Sequence, residues 1–155
     1  MDRLDIELPD ADATEAFGAR LAGCCRGGLL VYLSGDLGAG KTTLVRGLVR
    51  ALGYAGSVKS PTYTLVESYR TPTLVLHHFD LYRLSDPEEL EWLGIRDLLG
   101  GDAVCLIEWP ERGAGVLPRP DLQLVLAYAG QGRRLVAGAT GDNGVRVLGC
   151  LRDTC

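Results

Sequence analysis

The apolar stretch Leu29-Leu30-Val31-Tyr32-Leu33 is a run without alternation, as expected of a strand covered on both faces. A second such run, Ala103–Glu108, ends in a carboxylate. Arg3–Leu8 instead alternates in polarity and stops at Pro9, which predicts a half-exposed first strand. Between these strands the period changes. Ala13–Cys25 predicts a helix with Ala16, Leu21 and Ala22 on its apolar side, capped by Asp12 with Glu15 three residues on, and ended by Gly27-Gly28. Lys41–Leu52 predicts another, stopping at Gly53. Tyr63–Tyr69 and Thr73–Asp80 read as two strands joined at Arg70-Thr71-Pro72. Asp86-Pro87-Glu88-Glu89 carries the signature of a helix start, with Asp86 as cap, Pro87 first and Glu89 three positions after the cap. Beyond the Gly/Pro-rich stretch Pro110–Pro120, three strands are expected near 121–128, 133–139 and 144–150. The order predicts a three-layer α/β sandwich with a mixed, largely parallel central sheet and antiparallel strands in the C-terminal half.

The 155 residues suit one domain spanning 1–155, with no internal repeat and no linker long enough to divide it. Composition narrows the function more than the fold. Net charge is −4 and the only lysines are Lys41 and Lys59. A protein that grips nucleic acid unaided needs a basic face to neutralise phosphates. Binding to DNA is therefore not expected, and any RNA would be held mainly by another subunit. The five cysteines, Cys24, Cys25, Cys105, Cys150 and Cys155, form no Cys-x-x-Cys pair and no zinc spacing with His77 and His78. They read as small buried or surface thiols in a reducing cytoplasm. There is no signal-peptide pattern at the N-terminus and no apolar run near the roughly 20 residues that span a bilayer.

Chemistry concentrates after the first buried run. Gly35-Asp36-Leu37-Gly38-Ala39-Gly40-Lys41-Thr42 matches Gly-x-x-x-x-Gly-Lys-[Ser/Thr] in full, between a buried strand and a helix. Glycines allow the backbone angles that turn successive N–H groups inward as an anion nest, and the helix start adds its positive end. In this P-loop, Lys41 reaches the β- and γ-phosphates and the Thr42 hydroxyl ligates Mg²⁺. Two carboxylates, Asp80 and Glu108, close apolar strands, and in open α/β sheets ligands bind beyond those carboxyl ends. Thr62, in the Ser60-Pro61-Thr62 loop, sits where a switch would sense the γ-phosphate. On a regular strand His77 and His78 point to opposite faces, which leaves a place near the site open for one of them, with core packing the favoured role for each. A GTPase Asn-Lys-x-Asp motif and an ABC signature are both absent, while Arg112 and Arg119 leave a kinase-type lid open as an alternative.

Four segments together carry a family likeness: Gly35–Thr43, Lys59-Ser60-Pro61-Thr62-Tyr63-Thr64-Leu65, His78-Phe79-Asp80-Leu81-Tyr82-Arg83-Leu84 and Glu108-Trp109-Pro110-Glu111. In this order, over residues 12–118, the chain resembles the bacterial TsaE (YjeE-type) ATPase family of tRNA threonylcarbamoyladenosine biosynthesis. The resemblance implies a weak ATPase, stimulated by partners. Those partners are a two-subunit tRNA threonylcarbamoyl transferase complex, a catalytic subunit and its paralogue, which contacts the tRNA. It implies that Gly38, Ala39, Gly40, Lys41, Thr42 and Thr43 hold the phosphates of ATP and that Thr42 and Glu108 bind Mg²⁺. Asp80 would be the Walker-B acid, Thr62 part of the first switch, and Thr14 and Arg133 further nucleotide contacts. Rival readings are a nucleotide-gated binding module that needs no hydrolysis and a small-molecule kinase.

Overall fold

The structure, a computed structural model, describes residues 3–36 and 38–153. Its elements are β1 (Arg3–Leu8), α1 (Ala11–Cys24), β2 (Leu30–Gly35), α2 (Lys41–Ala51), β3 (Val66–Arg70), β4 (Val75–Asp80), α3 (Glu88–Leu93), α4 (Ile95–Leu99), β5 (Val104–Glu108), a 3₁₀ turn (Pro110–Gly113), β6 (Leu122–Ala129), β7 (Gly132–Ala139) and α5 (Asp142–Asp153). The strands form one sheet in the order β1-β7-β6-β2-β5-β4-β3. The central four, β6, β2, β5 and β4, run parallel. β7, β1 and β3 join antiparallel at the flanks, so antiparallel pairing lies at both ends of the sheet.

Alternate residues of the central strands feed two cores, as the apolar runs require. Val31, Leu33, Val104 and Leu106 pack under α1, α2 and α5, with Phe17, Leu21, Leu44, Leu48 and Leu148. Leu30, Phe79, Cys105 and Ile107 pack under α3 and α4, with Leu90 and Ile95. This arrangement is the three-layer sandwich expected from the patterning.

Three local expectations are corrected. Helix α1 starts two residues early, because Asp10 rather than Asp12 is the cap: its Oδ1 accepts from Ala13 N at 2.8 Å. Asp12 lies in the first turn, where a negative charge suits the helix dipole, and Ala16 faces solvent. The segment 144–150 is not a strand but most of α5, whose buried residues Gly144, Val147, Leu148 and Leu151 recur at helical spacing. The cysteines are not all free. Cys24 and Cys150 form a disulfide across 126 residues of sequence, because α5 packs on α1 and brings their Cα atoms to 5.7 Å. Cys25 and Cys105 remain thiols, and burial pushes each up to about 12. Cys155 lies outside the described residues.

The crossing of α1 and α2 positions the site. A Cβ on Gly18 would meet Leu44 O at 2.1 Å, and one on Gly47 would meet Glu15 O at 2.0 Å. Only a residue without a side chain lets the two backbones approach this closely. The contact lays the N-terminus of α1, and with it Thr14, beside the P-loop. Among the described residues, no helix is long and apolar enough to cross a membrane.

Candidate functional site

The chain leaves β2 at Gly35, turns, and enters α2 at Lys41. Gly38 and Gly40 hold φ of +80° and +108°, left-handed values that the loop needs and that a Cβ would strain. Leu37 lies outside the described residues. No side chain caps α2, so the amides of its first turn face the loop's concavity with the positive end of the helix dipole behind them. Arg133, at the start of β7, braces the loop. Its Nε donates to Ala39 O at 3.0 Å and its Nη2 to Gly38 O at 3.3 Å, while the guanidinium stacks on Tyr128 at 4.2 Å. These bonds hold the loop's carbonyls away from the nest.

Beyond the carboxyl ends of β2, β5 and β4 lies a cavity of about 320 Å³ lined by Gly38, Gly40, Lys41, Thr42, Thr43, Ser60, Thr62, Asp80 and Glu108. Register explains why its two acids meet: Asp80 is paired with Glu108 and Glu108 with Leu33, the residue that leads into the P-loop. Lys41, Asp80 and Glu108 are 6%, 4% and 4% exposed. Charges so desolvated must be partnered, and they are. Lys41 Nζ donates to Gly35 O at 2.7 Å and stands 3.4 Å from Glu108 Oε1. The second oxygen of Glu108 lies 2.5 Å from His78 Nε2. Asp80 accepts from Thr62 Oγ1 at 3.0 Å and from Tyr82 N at 3.0 Å, and Ser60 and Thr62 share a hydrogen bond of 2.7 Å.

A smaller cleft of about 160 Å³ adjoins this cavity through Gly38, Gly40 and Thr43, and adds Thr14, Gln131 and Arg133. Every site residue read from the sequence thus lines one of two connected spaces. Arg112 packs over the Tyr82 ring at 5.8 Å, and neither it nor Arg119 lines the cavity.

Two further residues stand at the centre of the site. His78, expected in the core, is fully buried yet bonded to Glu108. The available signal was parity, since a residue two before Asp80 on a strand shares its face. Trp109 takes the left-handed conformation at φ +55°, uncommon for a bulky residue. That turn places its ring 4.8 Å from Lys41 Nζ, in cation–π range, and 5.0 Å from the Tyr82 ring. Nothing in the spacing of the sequence announces it.

Among the described residues, no group of three or more His, Cys, Asp or Glu side chains could hold a metal by itself. The donor set is one hydroxyl, Thr42, with acids across the cavity from it. Such a set fits Mg²⁺, which keeps water and phosphate oxygens as most of its ligands. It does not fit zinc, which is closed in by several protein side chains.

Comparison with known proteins gives the family. The family profile described as "Threonylcarbamoyl adenosine biosynthesis protein TsaE" matches residues 8–136. The chain is 44% identical to the "tRNA threonylcarbamoyladenosine biosynthesis protein TsaE" of Haemophilus influenzae, covering 96% of this chain and 97% of that one. It is 35% identical to the protein of the same name from Bacillus subtilis, over 96% and 92% of the two chains. The crystal structure of Bacillus subtilis YdiB superposes with a TM-score of 0.87 at 30% identity, covering 99% of this chain and 96% of that one. The chain therefore belongs to the TsaE family of threonylcarbamoyl adenosine biosynthesis proteins.

Proposed function

We propose that this chain is a P-loop ATPase that binds ATP with Mg²⁺, hydrolyses it slowly alone, and thereby drives or resets a partner complex in the formation of threonylcarbamoyladenosine in tRNA. One observation carries the reading. A lysine amino group, the open first turn of a helix and two buried carboxylates converge on one cavity at the carboxyl ends of parallel strands.

The residues divide the work. The amides of Gly38–Thr43 cradle the phosphates, and Lys41 exchanges its bond to Gly35 O for the β- and γ-phosphate oxygens. Thr42 and Glu108 are the residues that hold Mg²⁺, whose chemistry here is to offset the charge of the β- and γ-phosphoryl groups. Thr14 and Arg133, in the adjoining cleft, face the rest of the nucleotide. Thr62 exchanges its bond to Asp80 for the γ-phosphate, so the loop that carries it differs between ATP and ADP. Glu108 and Asp80 are the carboxylates able to orient the attacking water. The products are ADP and phosphate, released to solvent.

Among the described residues, no arginine lines the γ-phosphate cavity. A residue of that kind adds roughly 10³–10⁵ in rate where it operates, so turnover alone is slow and a partner raises it. That partner is a two-subunit threonylcarbamoyl transferase, which also holds the tRNA. The net charge of −4 supports this division.

The test is phosphate release from ATP by wild type and Lys41→Ala, with and without the partner complex. Wild type is expected to be slow alone and faster with partners, with Lys41→Ala lower by about 100-fold or more. Equal activity in both proteins would remove the assigned site. Phosphate recovered on an added acceptor would make the chain a kinase, and full partner function without hydrolysis would make it a nucleotide-gated module.

A further inference from the structure

One buried polar side chain has no part in the mechanism above. His78 is wholly inaccessible to solvent. A buried imidazole needs partners for both ring nitrogens, and an orphan calls for an explanation. His78 satisfies one: Nε2 meets Glu108 Oε2 at 2.5 Å, while Nδ1 has no partner among the described residues. A carboxylate oxygen only accepts, so Nε2 carries the hydrogen and donates it. The histidine sits there because of sheet geometry. Leu76, His78 and Asp80 share one face of β4; His78 is paired with Leu106 and Asp80 with Glu108. The ring is therefore a diagonal neighbour of the Glu108 side chain, within reach across the strands.

Glu108 is thus divided, with one oxygen on His78 and the other 3.4 Å from Lys41. Without His78, the carboxylate could rotate and give both oxygens to the ammonium. Lys41 would then be slower to leave for phosphate, and Glu108 would be lost to the metal. We propose that His78 is the positioning residue of Glu108: it retains Oε2, so that Oε1 alone passes from Lys41 to Mg²⁺ when ATP enters. The inference rests on the functional reading above. It assigns a task to a residue in the apolar interior of the strand and accounts for the orphaned Nδ1, since the ring's orientation serves Glu108 at the expense of its own second bond.

The experiment compares wild type with His78→Leu, which removes the donor, and His78→Gln, whose amide can donate from a similar distance along the side chain. In nucleotide-free protein, a slowly exchanging His78 Nε2–H signal is expected by ¹⁵N-edited NMR, and it should shift or broaden away in Glu108→Ala. With ATP bound, Mg²⁺ titration should show affinity lowered about 10–100-fold in His78→Leu, as for other partners that orient metal ligands. His78→Gln should recover most of that loss. Wild-type Mg²⁺ affinity in His78→Leu would overturn the proposal, as would a Gln variant as impaired as the Leu one. If His78→Leu does not fold, the Gln variant and the NMR signal decide. Absence of that signal in a wild type that still binds ATP·Mg²⁺ sinks the positioning role alone. A wild type that binds no ATP sinks the functional reading, and this inference with it.

Discussion

The two ends of the sheet invite comparison. At the amino ends of β4 and β5 lies an open cavity of about 950 Å³, whose lining includes Cys25, Arg70, His77, Asp97 and Asp102. At the carboxyl ends lies the P-loop cavity, about a third as large at about 320 Å³. The roomier space holds the weaker claim to chemistry. Arg70, Asp97 and Asp102 are exposed, so water already solvates them and their mutual attraction is screened. Lys41, Asp80 and Glu108 are buried, so each depends on the others or on a ligand for its solvation. The difference follows from the chain's direction: the carboxyl ends deliver the open N-terminus of α2, whereas the amino ends receive the C-terminus of α1. Desolvated, converging groups mark a site better than volume does.

That contrast can be broken most sharply at Glu108. Removing the carboxylate in Glu108→Ala is expected to lower ATP hydrolysis by about 100-fold or more, the scale of a lost general base or metal ligand. Arg70→Ala at the other end should leave the rate within about twofold. Phosphate-release assays reversing that order would show that the chemistry had been placed at the wrong end.

A smaller effect, on stability rather than activity, belongs to the amino end. The Cys24–Cys150 bridge joins the last turn of α1 to α5 far from the P-loop. It closes a long loop in the unfolded chain, so Cys150→Ser should cost about 2–4 kcal/mol in urea unfolding under non-reducing conditions. ATP affinity should change little. If affinity fell together with stability, the two ends would be coupled through α1, and Thr14 would be the first residue to examine.

The smallest expected effect is at His77, the half-buried neighbour of His78 on the opposite face of β4. Burial, and secondarily the charge of Arg70, hold its imidazole below the ordinary 6.5. The unfolded chain therefore takes up the proton first as pH falls. The stability this residue contributes is complete above about 6.5 and is lost as pH drops through the lower folded-state value. Urea midpoints at about pH 7.5 and about pH 5 should converge in His77→Gln relative to wild type. An unchanged difference would assign the acid sensitivity to other groups.

Much of this molecule was written in local pattern. The buried runs of β2 and β5, the glycine-lysine-threonine turn between strand and helix, and the acids closing β4 and β5 are short-range features whose physics is complete within a few residues. They identified the layered fold and the family, and they carry the phosphate site proposed above. The C-terminal helix was misread because a short apolar stretch satisfies either period, and only packing of Val147, Leu148 and Leu151 against β6, β7 and α1 selects the helical one. What tertiary structure alone decided is the company each residue keeps. Strand register set His78 beside Glu108, helix packing joined Cys24 to Cys150, and a left-handed turn put Trp109 under Lys41. These contacts span up to 126 residues; distances of that kind are set by how layers stack and strands align, and one-dimensional spacing carries no record of them.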